Sequence, residues 1–124
     1  MLEPTIALRV KTQYLPLQSK IAQNQFVFAY TITLTNQSTE QVQLLTRQWT
    51  ITNADGEVTE VEGDGVVGQQ PLIAPGDSFS YTSGTVLSTP VGIMQGSYGM
   101  INKAGMPFNV AIPQFRLALP NILH

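Results

Sequence analysis

The sequence predicts an all-β sandwich. Hydrophobic residues recur with a period of two, Asn/Asp/Pro/Gly turn signals separate the alternating runs at regular spacing, and no stretch carries a helical period. Ile6, Leu8 and Val10 alternate with Ala7, Arg9 and Lys11, which gives a first strand with one apolar face. After a loop containing Pro16, a long strand runs from Phe26 to Asn36. Phe26, Phe28, Tyr30, Ile32 and Leu34 fall on one side and Val27, Ala29, Thr31, Thr33 and Thr35 on the other. Its length and β-branched content exclude a helix.

Asn36-Gln37-Ser38-Thr39 reads as a turn. From Val42 to Thr52 the alternation changes phase: Val42 and Leu44 are even, while Leu45, Arg47, Trp49 and Ile51 are odd, which predicts a β-bulge or a break near Leu44–Leu45. Asn53-Ala54-Asp55-Gly56 signals a hairpin into a short strand around Val58–Glu62. Pro75-Gly76 turns the chain before Phe79–Val86. A strand at Met94–Ile101 follows, and Asn102-Lys103-Ala104-Gly105 leads into Phe108–Leu119, where Pro113 predicts two pieces or an edge strand.

Seven to nine short strands are expected, packed as an immunoglobulin-like sandwich. Trp49, on about the third strand, stands where such a core keeps its tryptophan, and without cysteine the fibronectin type III-like variety fits best. At 124 residues, with no linker, repeat or low-complexity segment, the chain reads as one domain, 1–124.

Hydrophobic residues make up 43%, an ordinary globular share, but charged residues only 11%, against a usual share of roughly 25%. Thr, Gln, Ser and Asn must therefore cover much of the surface. The net charge is −2, and Arg9, Lys11, Lys20, Arg47, Lys103 and Arg116 are scattered along the chain, so no basic patch for nucleic acid or an anionic membrane is expected. Zero cysteines exclude disulfides, thiolate metal sites and cysteine nucleophiles. The Met-Leu-Glu-Pro start lacks the pattern of a signal peptide, and no apolar run approaches the roughly 18 residues of a membrane span. A cytoplasmic setting is expected.

The stretch Val61–Gly68, "VEGDGVVG", contains G-x-G-x-x-G at Gly63, Gly65 and Gly68. A dinucleotide fingerprint needs a helix to follow the loop, whose N-terminal N–H groups meet the pyrophosphate. Here Gln69-Gln70-Pro71-Leu72 follows, with Pro75 close behind, so that reading is rejected. An anion-binding nest of backbone N–H groups is the looser alternative. Against it stand Glu62 and Asp64, since like charges at about 4 Å repel by ~1 kcal/mol in bulk water and ~4 near a protein surface. An arginine folding back over the loop, with Arg47 the candidate, would offset that repulsion. The sequence favours a structural turn, whose glycines supply backbone angles other residues resist.

Five of the eight acidic residues, Asp55, Glu57, Glu60, Glu62 and Asp64, fall within ten positions. Glu60, Glu62 and Asp64 share one parity, so on a strand they face one side and are the candidate ligands for a hard cation such as Mg²⁺. The favoured reading is a solvated hairpin whose charges discourage edge-to-edge pairing. The single histidine, His124, is the last residue, too little for a transition-metal site. Ser83, in Tyr81-Thr82-Ser83-Gly84, lacks a nucleophile-elbow context, and a triad would have to borrow its base from His124. Paired carboxylates add nothing specific. No catalytic residue is assigned, and no cofactor is expected.

Three blocks resemble the ApaG family. The first is Phe26–Asn36 with Gln43–Trp49 and Ile51-Thr52-Asn53. The second is Val61–Pro71 with Leu72 and Pro75-Gly76. The third joins Tyr81–Gly84, Thr89–Tyr98, Pro107-Phe108 and Ile112–Leu117. The match spans essentially the whole chain in order. Mild departures are Asp77, where Pro-Gly-Glu is common, and Gln48, where an aromatic often precedes the tryptophan. The resemblance implies a fibronectin type III-like sandwich, an association with cobalt resistance and magnesium efflux in bacteria, and pyrophosphate binding suggested for the motif at Gly63, Gly65 and Gly68. Related domains in an F-box protein and a DNA polymerase delta-interacting protein imply protein binding. It supplies no catalytic residue.

Two functions follow as expectations: a non-enzymatic protein-interaction module engaging an unidentified protein partner through loops or edge strands, or a nucleotide or pyrophosphate binder using Gly63–Gly68 with Arg47, with or without Mg²⁺. Low surface charge and short apolar strands also suggest a homodimer that covers exposed edges.

Overall fold

A computed structural model of the chain describes residues 4–120. Eight strands follow one another: β1 (Ile6–Tyr14), β2 (Phe26–Asn36), β3 (Val42–Asn53), β4 (Val58–Asp64), β5 (Leu72–Ile73), β6 (Ser78–Leu87), β7 (Val91–Asn102) and β8 (Pro107–Ala118). Two short 3₁₀ turns, Pro16–Gln18 and Ile21–Gln23, connect β1 to β2. One sheet has the order β1-β2-β6; the other runs β4-β3-β7-β8, with β5 added to β3. Every pairing is antiparallel. The arrangement is the immunoglobulin-like, fibronectin type III-like sandwich expected, with a strand count inside the expected range. No helix is long and apolar enough to cross a membrane among the described residues.

The alternation along β2 sets the core. Phe26, Phe28, Tyr30, Ile32, Leu34 and Asn36 are buried, and each residue between them is half-buried. They meet Leu44, Trp49, Met94, Tyr98 and Met100 of the opposite sheet. Trp49 is 2% exposed, and its ring lies 5.2 Å from that of Tyr30 and 5.9 Å from that of Phe115, both edge-on, the geometry a ring quadrupole favours. Tyr81 on β6 and Tyr98 on β7 bond hydroxyl to hydroxyl across the sandwich. Burial pushes the Tyr81 phenol up to about 12, the bond to Tyr98 pulling the other way, and burial together with the Tyr81 neighbour raises Tyr98 further still.

The phase change on β3 is a bulge: its register with β7 shifts between Leu44 and Thr46, leaving Leu45 as the extra residue. Pro113 does not split the last strand. Instead β8 is an edge strand, paired among the described residues with β7 alone, and the register skips past Pro113 and Gln114, between Phe115 and Ile112. β1 packs against β8 along one side of the sandwich. The edge strands β4 and β6 therefore flank the other side.

Candidate functional site

The β3–β4 hairpin and the glycine loop after it carry most of the singled-out residues. The hairpin turns where Asn53-Ala54-Asp55-Gly56 predicts. The Asn53 Oδ1 accepts N–H bonds from Asp55 (2.9 Å) and Glu57 (3.0 Å), and Gly56 takes a φ of 82°, left-handed backbone that costs glycine nothing. The ladder then pairs Ile51 with Thr59, Trp49 with Val61, Arg47 with Gly63 and Thr46 with Asp64. Thr59 and Val61 thus share the inner face of Trp49, while Glu60, Glu62 and Asp64 share the outer face with Thr50, Gln48 and Thr46.

The glycine loop closes on itself. Its Gly65 N–H donates to the Leu45 carbonyl (2.7 Å), the Val66 N–H to Gln69 (2.8 Å), and the Gln69 N–H back to Val66 (3.0 Å). Val67 and Gly68 turn the chain between the last two, both at positive φ (49° and 76°), the pattern of a tight two-residue turn. For the β-branched Val67 that is a strained backbone, held by the fully buried Val66 beside it. A Cβ on Gly65 would sit 2.4 Å from the Gln69 carbonyl oxygen. A Cβ on Gly63 would meet the Arg47 guanidinium at 2.9–3.0 Å. The glycine spacing answers to these close approaches.

Arg47 folds back over the loop, lying flat against Gly63. Its Nη1 donates to the carbonyls of Asp64 (3.0 Å) and Gly65 (2.9 Å). Gly63, Gly65 and Arg47 are therefore in contact, whereas Gly68 stands at the far turn. The three amides Gly65, Val66 and Gln69 are already hydrogen-bonded within the fold and do not converge on a common point. A shallow groove of about 440 Å³ opens on the outer face between Thr46, Arg47, Gln48, Glu62 and Asp64.

Glu60, Glu62 and Asp64 stand in the row their parity predicts. Alternate residues of a strand are ~6.5–7 Å apart, and no group of three or more His, Asp or Glu side chains is gathered for a metal ion among the described residues. The set does not fit a single Mg²⁺ held by all three. Ser83 sits in β6 opposite Tyr30. His124 lies outside the described residues.

A feature the sequence does not announce is the open side. Between β4 and β6 a depression of about 300 Å³ is lined by Ile51, Thr59, Val61, Val86 and Leu87, with Glu57 at one end. Val58 and Val86 are each 59% exposed and Val61 38%. The alternation of β4 hides this, because Val61 reads as a core-facing position and is left at the rim by the ending of the sheet.

A profile of the ApaG domain matches residues 16–102. The chain belongs to the ApaG family. It is 57% identical over 119 residues to Protein ApaG of Pseudomonas aeruginosa, covering 96% of this chain and 94% of that protein. It is 50% identical over 121 residues to Protein ApaG of Escherichia coli, covering 98% and 97%. The crystal structure of the putative ApaA protein from Bordetella pertussis superposes with a TM-score of 0.93 at 46% identity, covering 96% of this chain and 97% of that one. The X-ray structure of structural genomics target SoR45 does so with a TM-score of 0.91 at 49% identity, covering 96% and 90%. ApaG membership thus rests on most of the chain and agrees with the resemblance carried by its three blocks.

Proposed function

We propose that this ApaG-family chain is a non-enzymatic protein-interaction module working in the cytoplasm. One observation carries the reading: the glycine motif is consumed in building the loop. Its amides at Gly65, Val66 and Gln69 bond to the protein's own carbonyls, and Gly63 and Gly65 leave room for Arg47 and for the Gln69 carbonyl. The amides of Val67 and Gly68 at the turn tip make no backbone bond, so the loop keeps two donors there rather than a full cradle. On this reading the family's association with cobalt resistance and magnesium efflux is exerted through a protein partner.

A second reading, nucleotide or pyrophosphate binding with Mg²⁺, is favoured by Arg47 alone. Its guanidinium has five N–H donors, and the contacts to Asp64 and Gly65 use only Nη1. Calorimetric titration with pyrophosphate and with ATP, each with and without Mg²⁺, separates the two. The interaction-module reading expects no heat of binding in any arm. Micromolar binding abolished by Arg47→Ala in a folded variant would establish the second reading instead.

A further inference from the structure

The open side of the sandwich has the three elements of a strand-addition site, and the partner it fits follows from their geometry. The Asn53 N–H donates to the Glu57 carbonyl at one end of the β3–β4 ladder and the Gly65 N–H to Leu45 at the other. Both bonds lie at odd-numbered positions of the second strand. In an antiparallel pair hydrogen-bonded and non-hydrogen-bonded positions alternate, so the N–H and C=O groups of Thr59, Val61 and Gly63 point to β3. Those of Val58, Glu60 and Glu62 point outward, along an edge that pairs with no other strand among the described residues. At Asp64 the outward carbonyl already accepts Arg47. The arginine therefore closes the edge at one end, and the β-turn closes it at the other. Five residues, Val58 to Glu62, remain available for pairing.

The side chains on the two faces of that edge differ sharply. The inner face offers Thr59 and Val61, continuous with the depression lined by Ile51, Val86 and Leu87. The outer face carries the exposed Val58 at one end, then Glu60 and Glu62 two residues apart. A strand laid beside β4 would place alternate side chains over the apolar depression and the others opposite the two carboxylates. Directly opposed side chains on neighbouring strands lie ~4.5–5.5 Å apart, close enough for opposite charges to attract and like charges to repel.

We propose that β4 binds an extended protein segment of about five residues in which basic and apolar side chains alternate, added as a further strand with its basic residues against Glu60 and Glu62. Main-chain bonds to Val58, Glu60 and Glu62 supply affinity, and the alternation fixes the register, the general logic of recognition by β-augmentation. A second copy of this chain is a poor occupant, because antiparallel pairing of two β4 edges brings Glu60 and Glu62 against the same residues of the other copy. The proposal rests on the interaction-module reading and commits it to one surface.

The test uses a fluorescein-labelled, end-blocked peptide Lys-Val-Lys-Val-Lys and a scrambled Lys-Lys-Val-Val-Lys control, followed by anisotropy against the full chain. Backbone amide shifts in an NMR titration report the location. The proposal expects the alternating peptide to bind, to weaken as salt is raised, and to shift amides at Val58, Glu60 and Glu62. Binding should weaken roughly three- to thirtyfold in the Glu60→Gln, Glu62→Gln double variant, which removes two charge pairs. Glu60→Pro should abolish it: the outward N–H disappears while the β3 ladder, to which Glu60 does not donate, is left intact. Retained circular dichroism and Trp49 emission show that the variants are folded. Equal binding of the scrambled peptide, undiminished binding by Glu60→Pro, shifts confined to other residues, or no binding would each overturn the proposal. No peptide binding together with no pyrophosphate binding removes this surface and leaves the module reading standing; pyrophosphate binding removes the module reading itself.

Discussion

Asn36 shows how one polar side chain can organise a core rim. It is fully buried, and its amide satisfies everything around it. The Nδ2 donates to the carbonyls of Glu40 (2.8 Å) and Ile73 (2.9 Å), and the Oδ1 accepts the Ser38 N–H (2.9 Å) and hydroxyl (2.6 Å). Asn36→Ala should lower unfolding free energy by roughly 2–4 kcal/mol, measured in denaturant, because it strands buried carbonyls. Trp49→Ala should cost roughly 3–5 kcal/mol, as other large-to-small core changes do, with the missing ring leaving Tyr30, Tyr98 and Phe115 facing a void. The loop glycines can be ranked on geometry. Gly65→Ala adds a clash with the Gln69 carbonyl to a φ of 66°, whereas Gly68→Ala meets open space at a φ of 76°. Denaturant midpoints should therefore drop for both, with Gly68→Ala costing ~1 kcal/mol and Gly65→Ala about twice that or more, whether or not pyrophosphate is present. An equal, small loss at the two positions would contradict the ranking.

Strands were legible in the sequence wherever burial is one-sided and local. β2 has the bounds its alternation predicts, the phase change on β3 is the bulge at Leu45, and Glu60, Glu62 and Asp64 do share a face. What escaped depends on residues far apart in the chain. The two-residue β5 has no alternation to read, and it exists because Val42 and Gln43 offer a ladder to Leu72 and Ile73. The Tyr81–Tyr98 pair joins two sheets, so neither strand announces it. That Arg47 packs on Gly63 follows from a register no single segment contains. The tyrosine pair yields a prediction about pH. An unfolded phenol ionises near 10.0, whereas Tyr81 holds its proton up to about 12 and Tyr98 longer. Between those limits the native state binds more protons than the unfolded chain, so stability is intact below pH 10 and falls as pH rises, by roughly 1–3 kcal/mol per pH unit for the two phenols together. Urea midpoints recorded from pH 8 to 12 should stay level and then decline; Tyr81→Phe should make the decline shallower. The edge position of β4 can be checked by proline as well. Val61→Pro removes an N–H that points to β3 and should cost ~3 kcal/mol or more, while Glu60→Pro should leave the thermal midpoint nearly unchanged.

For the molecule as a whole, the two sides of the sandwich differ: β1 meets β8 on one, and on the other β4 and β6 leave a depression between them. A homodimer remains the expected assembly, and the opposed carboxylates of two β4 edges direct it to another surface. Light scattering should give a species of twice the 13.5 kDa chain mass, unaffected by Glu60→Pro; a single-chain mass at high protein concentration would refute the assembly. The strand order also governs when the chain can fold. In the larger sheet β7 lies between β3 and β8, and in the smaller one β2 waits for β6, with Thr31 bonding to Thr82 fifty-one positions later. During synthesis the β1–β2 and β3–β4 pairs close first from neighbouring segments, each exposing an apolar face until the later strands emerge, and the β7–β8 pair closes last. A nascent chain ending before Val91 thus has the larger sheet without one of its two central strands, and Trp49 lacks the Tyr98 and Phe115 rings that pack against it. Protection from protease should therefore arise late and all at once on the ribosome, when β7 and β8 have cleared the exit, rather than in instalments as each hairpin appears.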